Sequence, residues 1–93
     1  GLAGLSGSLT VAILGGAGVT EAGVWNHNAL IVATQRRMIA AAERTVFAID
    51  RSKFGRKALA LATAFEPRLG LVTDQAPAPA IAASVRAAKA TLE

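Results

Sequence analysis

A chain of 93 residues holds one domain at most, and standing alone a domain of that size buries only about two-thirds of its unfolded surface. Apolar residues make up 53% of it, much of that alanine; no apolar stretch reaches the roughly 18–20 residues that cross a bilayer, and the absence of cysteine excludes disulfides and thiolate metal sites. The net charge of +4 is spread along the chain, and its densest group, residues 51–57, contains one aromatic, Phe54, and no nucleic-acid motif, which argues against direct nucleic-acid binding by this segment.

Residues 9–14 form a short apolar run closed by Gly15 and Gly16, the pattern of a buried strand entering a loop. No basic flank precedes this run, so the amino end reads as an internal strand rather than a signal peptide. A glycine-rich polar stretch, read as loop, continues to Asn28, a suitable helix N-cap. Residues 30–44 then show helical spacing, with Ile31, Met38 and Ala42 on the inner side and Arg36, Arg37, Glu43 and Arg44 outside; Arg44 would face the negative pole of the helix dipole. A second strand covers residues 45–50, a helical piece residues 56–64, and a third strand residues 69–74. Pro77 and Pro79 interrupt the chain, and Ile81, Val85, Ala88 and Leu92 mark a closing helix.

Strands separated by long crossovers imply a parallel sheet in an α/β domain, and right-handed crossovers bring all strand ends to one edge. The 15–18 loop, the 50–53 turn and the region after Asp74 therefore converge. Within TVFAIDRSKFG, residues 45–55, an apolar β-branched run ends on an acid where open α/β sheets place their ligand crevice. Asp50 to take hydroxyls, the Ser52 hydroxyl and the Lys53 ammonium suit a small anionic, hydroxylated ligand such as a phosphorylated sugar.

Each residue also has a plainer role. Asp50 either caps the amides that follow it or meets the ligand, and Ser52 is balanced in the same way. Gly15, Gly16 and Gly18 serve either a positive φ or the close approach of a ligand. Asp74 is read as turn chemistry ahead of Pro77, His27 as a loop residue without an acid partner, and Trp25 as a packing or subunit-contact residue in preference to one that stacks on a sugar. With this single histidine, zinc binding is not expected, and no catalytic or metal-ligating residue and no cofactor is assigned.

In order, GGAGVT at residues 15–20, Asn28, QRRMI at 35–39, AIDRSKFG at 48–55 and LVTD at 71–74 resemble the carboxyl-terminal part of the DeoR family of bacterial transcriptional regulators. These regulators join a winged helix-turn-helix to a sensor domain related to ribose-5-phosphate isomerase and to the wider sugar-isomerase and coenzyme A transferase fold. The resemblance implies that residues 1–93 are the C-terminal portion of an effector-sensing domain, a fragment of a three-layer parallel-sheet α/β fold. The winged helix-turn-helix and the first half of the sensor domain would lie outside this chain.

It further implies a phosphorylated sugar as effector, with Lys53 at the phosphate, Ser52 and Asp50 at the other motif positions, Asn28 before the long helix, and Gly15 and Gly18 in the loop that approaches the sugar. The expected function is that of a cytoplasmic, homo-oligomeric regulator, a repressor of carbohydrate metabolism genes, touching DNA only through its helix-turn-helix and not associated with a membrane. The family's loop usually reads Gly-Ala-Asp-Gly, whereas Ala17 stands here in place of the acid, which removes the loop's general base and favours sensing over catalysis. The helix entry, with Leu30, Ile31 and Val32, is also less polar than the family's. The alternatives are an isomerase-like enzyme and an assembly module that has lost its ligand.

Overall fold

The computed structural model describes residues 9–93. In chain order it contains β1 (Leu9–Gly15), β2 (Gly18–Thr20), β3 (Gly23–Asn26), α1 (Ala29–Ala41), β4 (Ala42–Ile49), a 3₁₀ turn (Arg51–Lys53), β5 (Ala60–Thr63), β6 (Leu69–Thr73), α2 (Pro79–Ala87) and β7 (Thr91–Leu92). Four strands form a parallel sheet in the order β1-β4-β6-β7, and three form a small antiparallel sheet, β2-β3-β5. The expected α/β fold with a parallel sheet is therefore present.

Register explains which residues form the core. Ala12 pairs with Thr45, Leu14 with Phe47, Phe47 with Leu71 and Thr45 with Leu69, and paired residues of parallel strands share a face. That face packs Phe47, Ile49, Leu69 and Leu71 against Val19 and Val24 of the antiparallel sheet, Phe65, and Ile81 and Val85 of α2. The opposite face carries Val11, Ile13, Ala48 and Val72, all exposed, Ile13 at 73%. Parallel sheets ordinarily bury both faces, so this apolar surface is an uncovered layer boundary.

Several elements differ from expectation, each for a physical reason. Asn28 caps α1 as expected, its Oδ1 accepting from the N–H groups of Leu30 (2.8 Å) and Ile31 (3.3 Å). The helix nevertheless ends at Ala41, because Ala42 turns extended and the following residues pair with β1. Arg44 is thus a strand residue, and instead of facing a helix end it donates to Glu93 Oε2 (2.5 Å) and Thr91 Oγ1 (3.0 Å). The inner stripe of α1 is also rotated from the expected one: Val32 and Gln35 are buried, Met38 is half-buried and Ile31 is exposed.

The stretch read as a polar loop contains β2 and β3, whose few apolar residues, Val19 and Val24 among them, are too short a run to show periodicity. Gly23 has φ +138 and lies where a Cβ would stand 2.0 Å from the Thr63 carbonyl oxygen, so only glycine lets β5 approach. Residues 56–64 contain β5 rather than a helix; alanine and leucine favour helix, but pairing with β3 overrides that preference. The closing helix stops at Ala87, and the chain returns as β7 beside β6.

Candidate functional site

The carboxyl ends of the parallel strands lie side by side, as the topology requires. Gly15 of β1 pairs with Ala48 of β4, and Ile49 of β4 pairs with Thr73 of β6. The 15–18 loop, the 50–53 turn and Asp74 consequently emerge along one edge, which agrees with the sequence expectation.

The turn after β4 is held by its own side chains. Asp50 Oδ1 accepts from the Ser52 N–H (2.8 Å) and from the Ser52 hydroxyl, so Asp50 acts as the cap. These bonds, the hydroxyl first and the N–H second, hold the Asp50 carboxyl below its ordinary value against an opposing effect of burial, with smaller help from Lys53 and then Arg51. Asp74, just past the end of β6, braces the same turn: its Oδ1 accepts from the Arg51 N–H at 2.8 Å, while Arg51 Nη1 donates to Gln75 Oε1 at 3.1 Å. Asp74 is therefore a cross-strand brace as well as the residue that leads toward Pro77.

The remaining amides of the turn are also occupied. The Asp50 carbonyl takes the Lys53 N–H (3.1 Å), the Arg51 carbonyl the Phe54 N–H (3.3 Å), the Val19 carbonyl the Gly55 N–H (2.7 Å) and the Lys53 carbonyl the Arg56 N–H (3.3 Å). An anion arriving here finds no free backbone donor from Arg51 to Arg56, unlike an anion at a glycine-rich phosphate loop. The half-buried Lys53 has a side chain that makes no hydrogen bond or ion pair among the described residues. Its ammonium is the turn's available compact cation. The Ser52 hydroxyl already donates to Asp50, which leaves it lone pairs with which to accept.

The loop glycines divide by role. At Gly18 a Cβ would stand 2.1 Å from the Arg56 carbonyl oxygen, so its bareness is required by the packing of β2 against the chain after the turn. At Gly16 a Cβ would meet Val24 Cγ1 at 2.6 Å. Gly15 is exposed, and a Cβ there would meet nothing within 4 Å. Asn28 has its Oδ1 taken by the helix cap, and Ala17 donates its N–H to the Trp25 carbonyl at 2.9 Å.

A groove of about 510 Å³ runs along this edge, lined by Ala48, Ile49, Asp50, Val72, Thr73 and Asp74. Of the six residues expected from sequence to bind ligand, Asp50 alone lines it; Ser52 and Lys53 lie farther along the turn, and Gly15 on the neighbouring strand end. The groove is open and reaches onto the uncovered face of the sheet through Ala48 and Val72. Among the described residues no group of three or more His, Cys, Asp or Glu is placed to hold a metal ion. No helix there is long and apolar enough to cross a membrane.

Sequence reasoning missed one arrangement at this edge. Asn26, ending β3, and Gln35, in the middle of α1, are buried side chains that meet at the Gly15 carbonyl. The available signal was an amide three residues after Val32 on a helix whose inner stripe should be apolar.

Residues 6–75 match the family model described as the DeoR C terminal sensor domain. No curated protein matches the chain.

Proposed function

The chain belongs to the family of DeoR C-terminal sensor domains, and on that premise we propose that it forms the effector-binding part of a DeoR-type transcriptional regulator that senses a phosphorylated sugar. The observation that carries this reading is the 50–53 turn, where the amides from Arg51 onward are bonded within the protein and the Lys53 ammonium is left to meet an anion beside the hydroxyl-accepting groups Asp50 and Ser52. Lys53 anchors the phosphate, and Asp50, Ser52 and the exposed Gly15 side of the first loop face the sugar. Gly18 and Asn28 act from farther back, through the packing of β2 and the cap of α1.

The reading extends to the whole regulator. The protein is a cytoplasmic homo-oligomer and a repressor of carbohydrate metabolism genes, and it reaches DNA through a winged helix-turn-helix outside residues 1–93. The uncovered face of Val11, Ile13, Ala48 and Val72 supports a further part of the sensor domain that supplies the missing layer. Effector binding alters operator affinity by favouring one subunit arrangement over another. Catalysis is disfavoured, because the 15–18 loop carries Ala17 and no carboxylate to move a proton.

Thermal-shift measurements on the full-length regulator test the reading. Phosphorylated sugars raise the melting temperature by an amount that grows with the logarithm of the ligand excess, while their unphosphorylated counterparts do not. Stabilisation by neither class, or equally by both, overturns it.

A further inference from the structure

We propose that Gln35 and Asn26 are positioning residues of the effector site: together they hold the Gly15 carbonyl and so set the placement of the 15–18 loop beside the 50–53 turn. The inference rests on the sensing role proposed above. Gln35 Nε2 donates to the Gly15 oxygen at 2.8 Å, Asn26 Nδ2 donates to the same oxygen at 3.2 Å, and Asn26 Nδ2 also donates to Gln35 Oε1 at 2.6 Å. Three elements, β1, β3 and α1, are tied at one atom.

The arrangement is specific in its chemistry. A carbonyl only accepts, so both amides must turn their nitrogens toward Gly15, and the contact between them fixes the Gln35 oxygen toward Asn26. Both side chains are over nine-tenths buried, Asn26 at 8% and Gln35 at 7% exposure, and a buried amide is tolerated only when its hydrogen bonds are made. The two buried residues of α1 are Val32 and Gln35, so a position that packing alone would fill with an aliphatic residue carries an amide instead.

The clamp adds to the loop's backbone anchors. Glycine and alanine at residues 15–18 offer no side-chain hydrogen bonds of their own; Gly15 pairs with Ala48 and Gly18 with Trp25 at the two ends, the Ala17 N–H donates to the Trp25 carbonyl at the centre, and Asn26 and Gln35 supply the side-chain hydrogen bonds to the loop among the described residues. Gly15 has open space on its Cα side while its carbonyl is clamped, which leaves one side of the loop available to a ligand and the other immobilised. Such supporting contacts hold a site to the accuracy that binding needs.

The test uses the full-length protein carrying Gln35→Leu or Gln35→Glu, with Val32→Ala as a packing control. Leucine keeps the bulk and removes both bonds; glutamate keeps the acceptor for Asn26 and removes the donor to Gly15. Amide hydrogen exchange is followed across residues 15–18, and the phosphorylated sugar that most stabilises the wild type in the thermal-shift series is titrated by NMR at the loop and at Lys53. In folded Gln35 variants the loop amides exchange at least about tenfold faster, and the sugar phosphate binds at least about fivefold more weakly. Val32→Ala lowers the melting temperature but leaves both quantities within about twofold at temperatures well below melting.

Gln35→Leu with wild-type loop exchange, or with a loosened loop and unchanged affinity for the sugar phosphate, overturns the positioning role. If Gln35→Glu does not fold, Gln35→Leu decides alone; if neither folds, the pair is a folding requirement and the proposal falls. A wild-type protein stabilised by no phosphorylated sugar overturns the sensing reading itself, and the positioning role with it.

Discussion

Replacing Lys53 by alanine removes the turn's free ammonium while leaving its scaffold in place. The scaffold consists of the Asp50 bonds to Ser52, the Asp74 bond to the Arg51 amide and the backbone bonds of the 3₁₀ turn, none of which involves the Lys53 side chain. Stability should therefore change by no more than about 0.5 kcal/mol. Binding should change far more, because the amides of Arg51 to Arg56 are all taken and cannot substitute as donors. A charge-assisted hydrogen bond contributes about 1.5–3 kcal/mol, which corresponds to roughly 10- to 150-fold in affinity. Calorimetry on the full-length protein, with the phosphorylated sugar that most stabilises the wild type, reads this directly. A folded Lys53→Ala protein that binds within about twofold of wild type would refute the reasoning, since the anion would then be held by groups outside this turn.

Three further outcomes follow from the geometry. Gly18→Ala puts a Cβ 2.1 Å from the Arg56 carbonyl oxygen and should lower the melting temperature markedly, by about 1–3 kcal/mol of stability or more, whereas Gly15→Ala, with nothing within 4 Å, should leave it nearly unchanged; equal melting curves would contradict the packing account. The Asp50 carboxyl titrates below its ordinary value of 3.8, so its contribution to the turn is present above that value and is lost as pH falls through the lower folded pKa; Ser52→Ala should move the midpoint upward by carbon-detected NMR, and an unmoved midpoint would deny the hydroxyl its role. Ile13→Asn, on the face left bare by residues 9–93, should cost the full-length protein about 1–3 kcal/mol in denaturant unfolding if another layer covers that face, and a neutral effect would show the face to be solvent-exposed in the intact regulator.

The parallel frame was legible because its strands are apolar runs with turn residues at their ends, as in residues 45–50 and 69–74. The Asn28 cap and the turn at Asp50 were legible because each is local chemistry between neighbours in sequence. The antiparallel sheet was not: β2 and β3 are too short to show alternation, β5 pairs with the distant β3, and ALAT in β5 taken alone favours helix. The end of α1 was missed because residues 42–44 continue the helical charge pattern, while pairing with β1 draws them into β4. Asn26 and Gln35 were hidden for a related reason. A hydrogen bond between residues nine apart, closing on a carbonyl eleven and twenty residues away, leaves no periodic trace.

A crystal structure of the full-length regulator with its phosphorylated sugar bound tests the central claim most directly. The account predicts the phosphate within hydrogen-bond reach of the Lys53 ammonium, at about 2.7–2.9 Å, with the sugar along the Asp50, Ser52 and Gly15 edge. A phosphate bound away from the 50–53 turn, with Lys53 facing solvent, would contradict it.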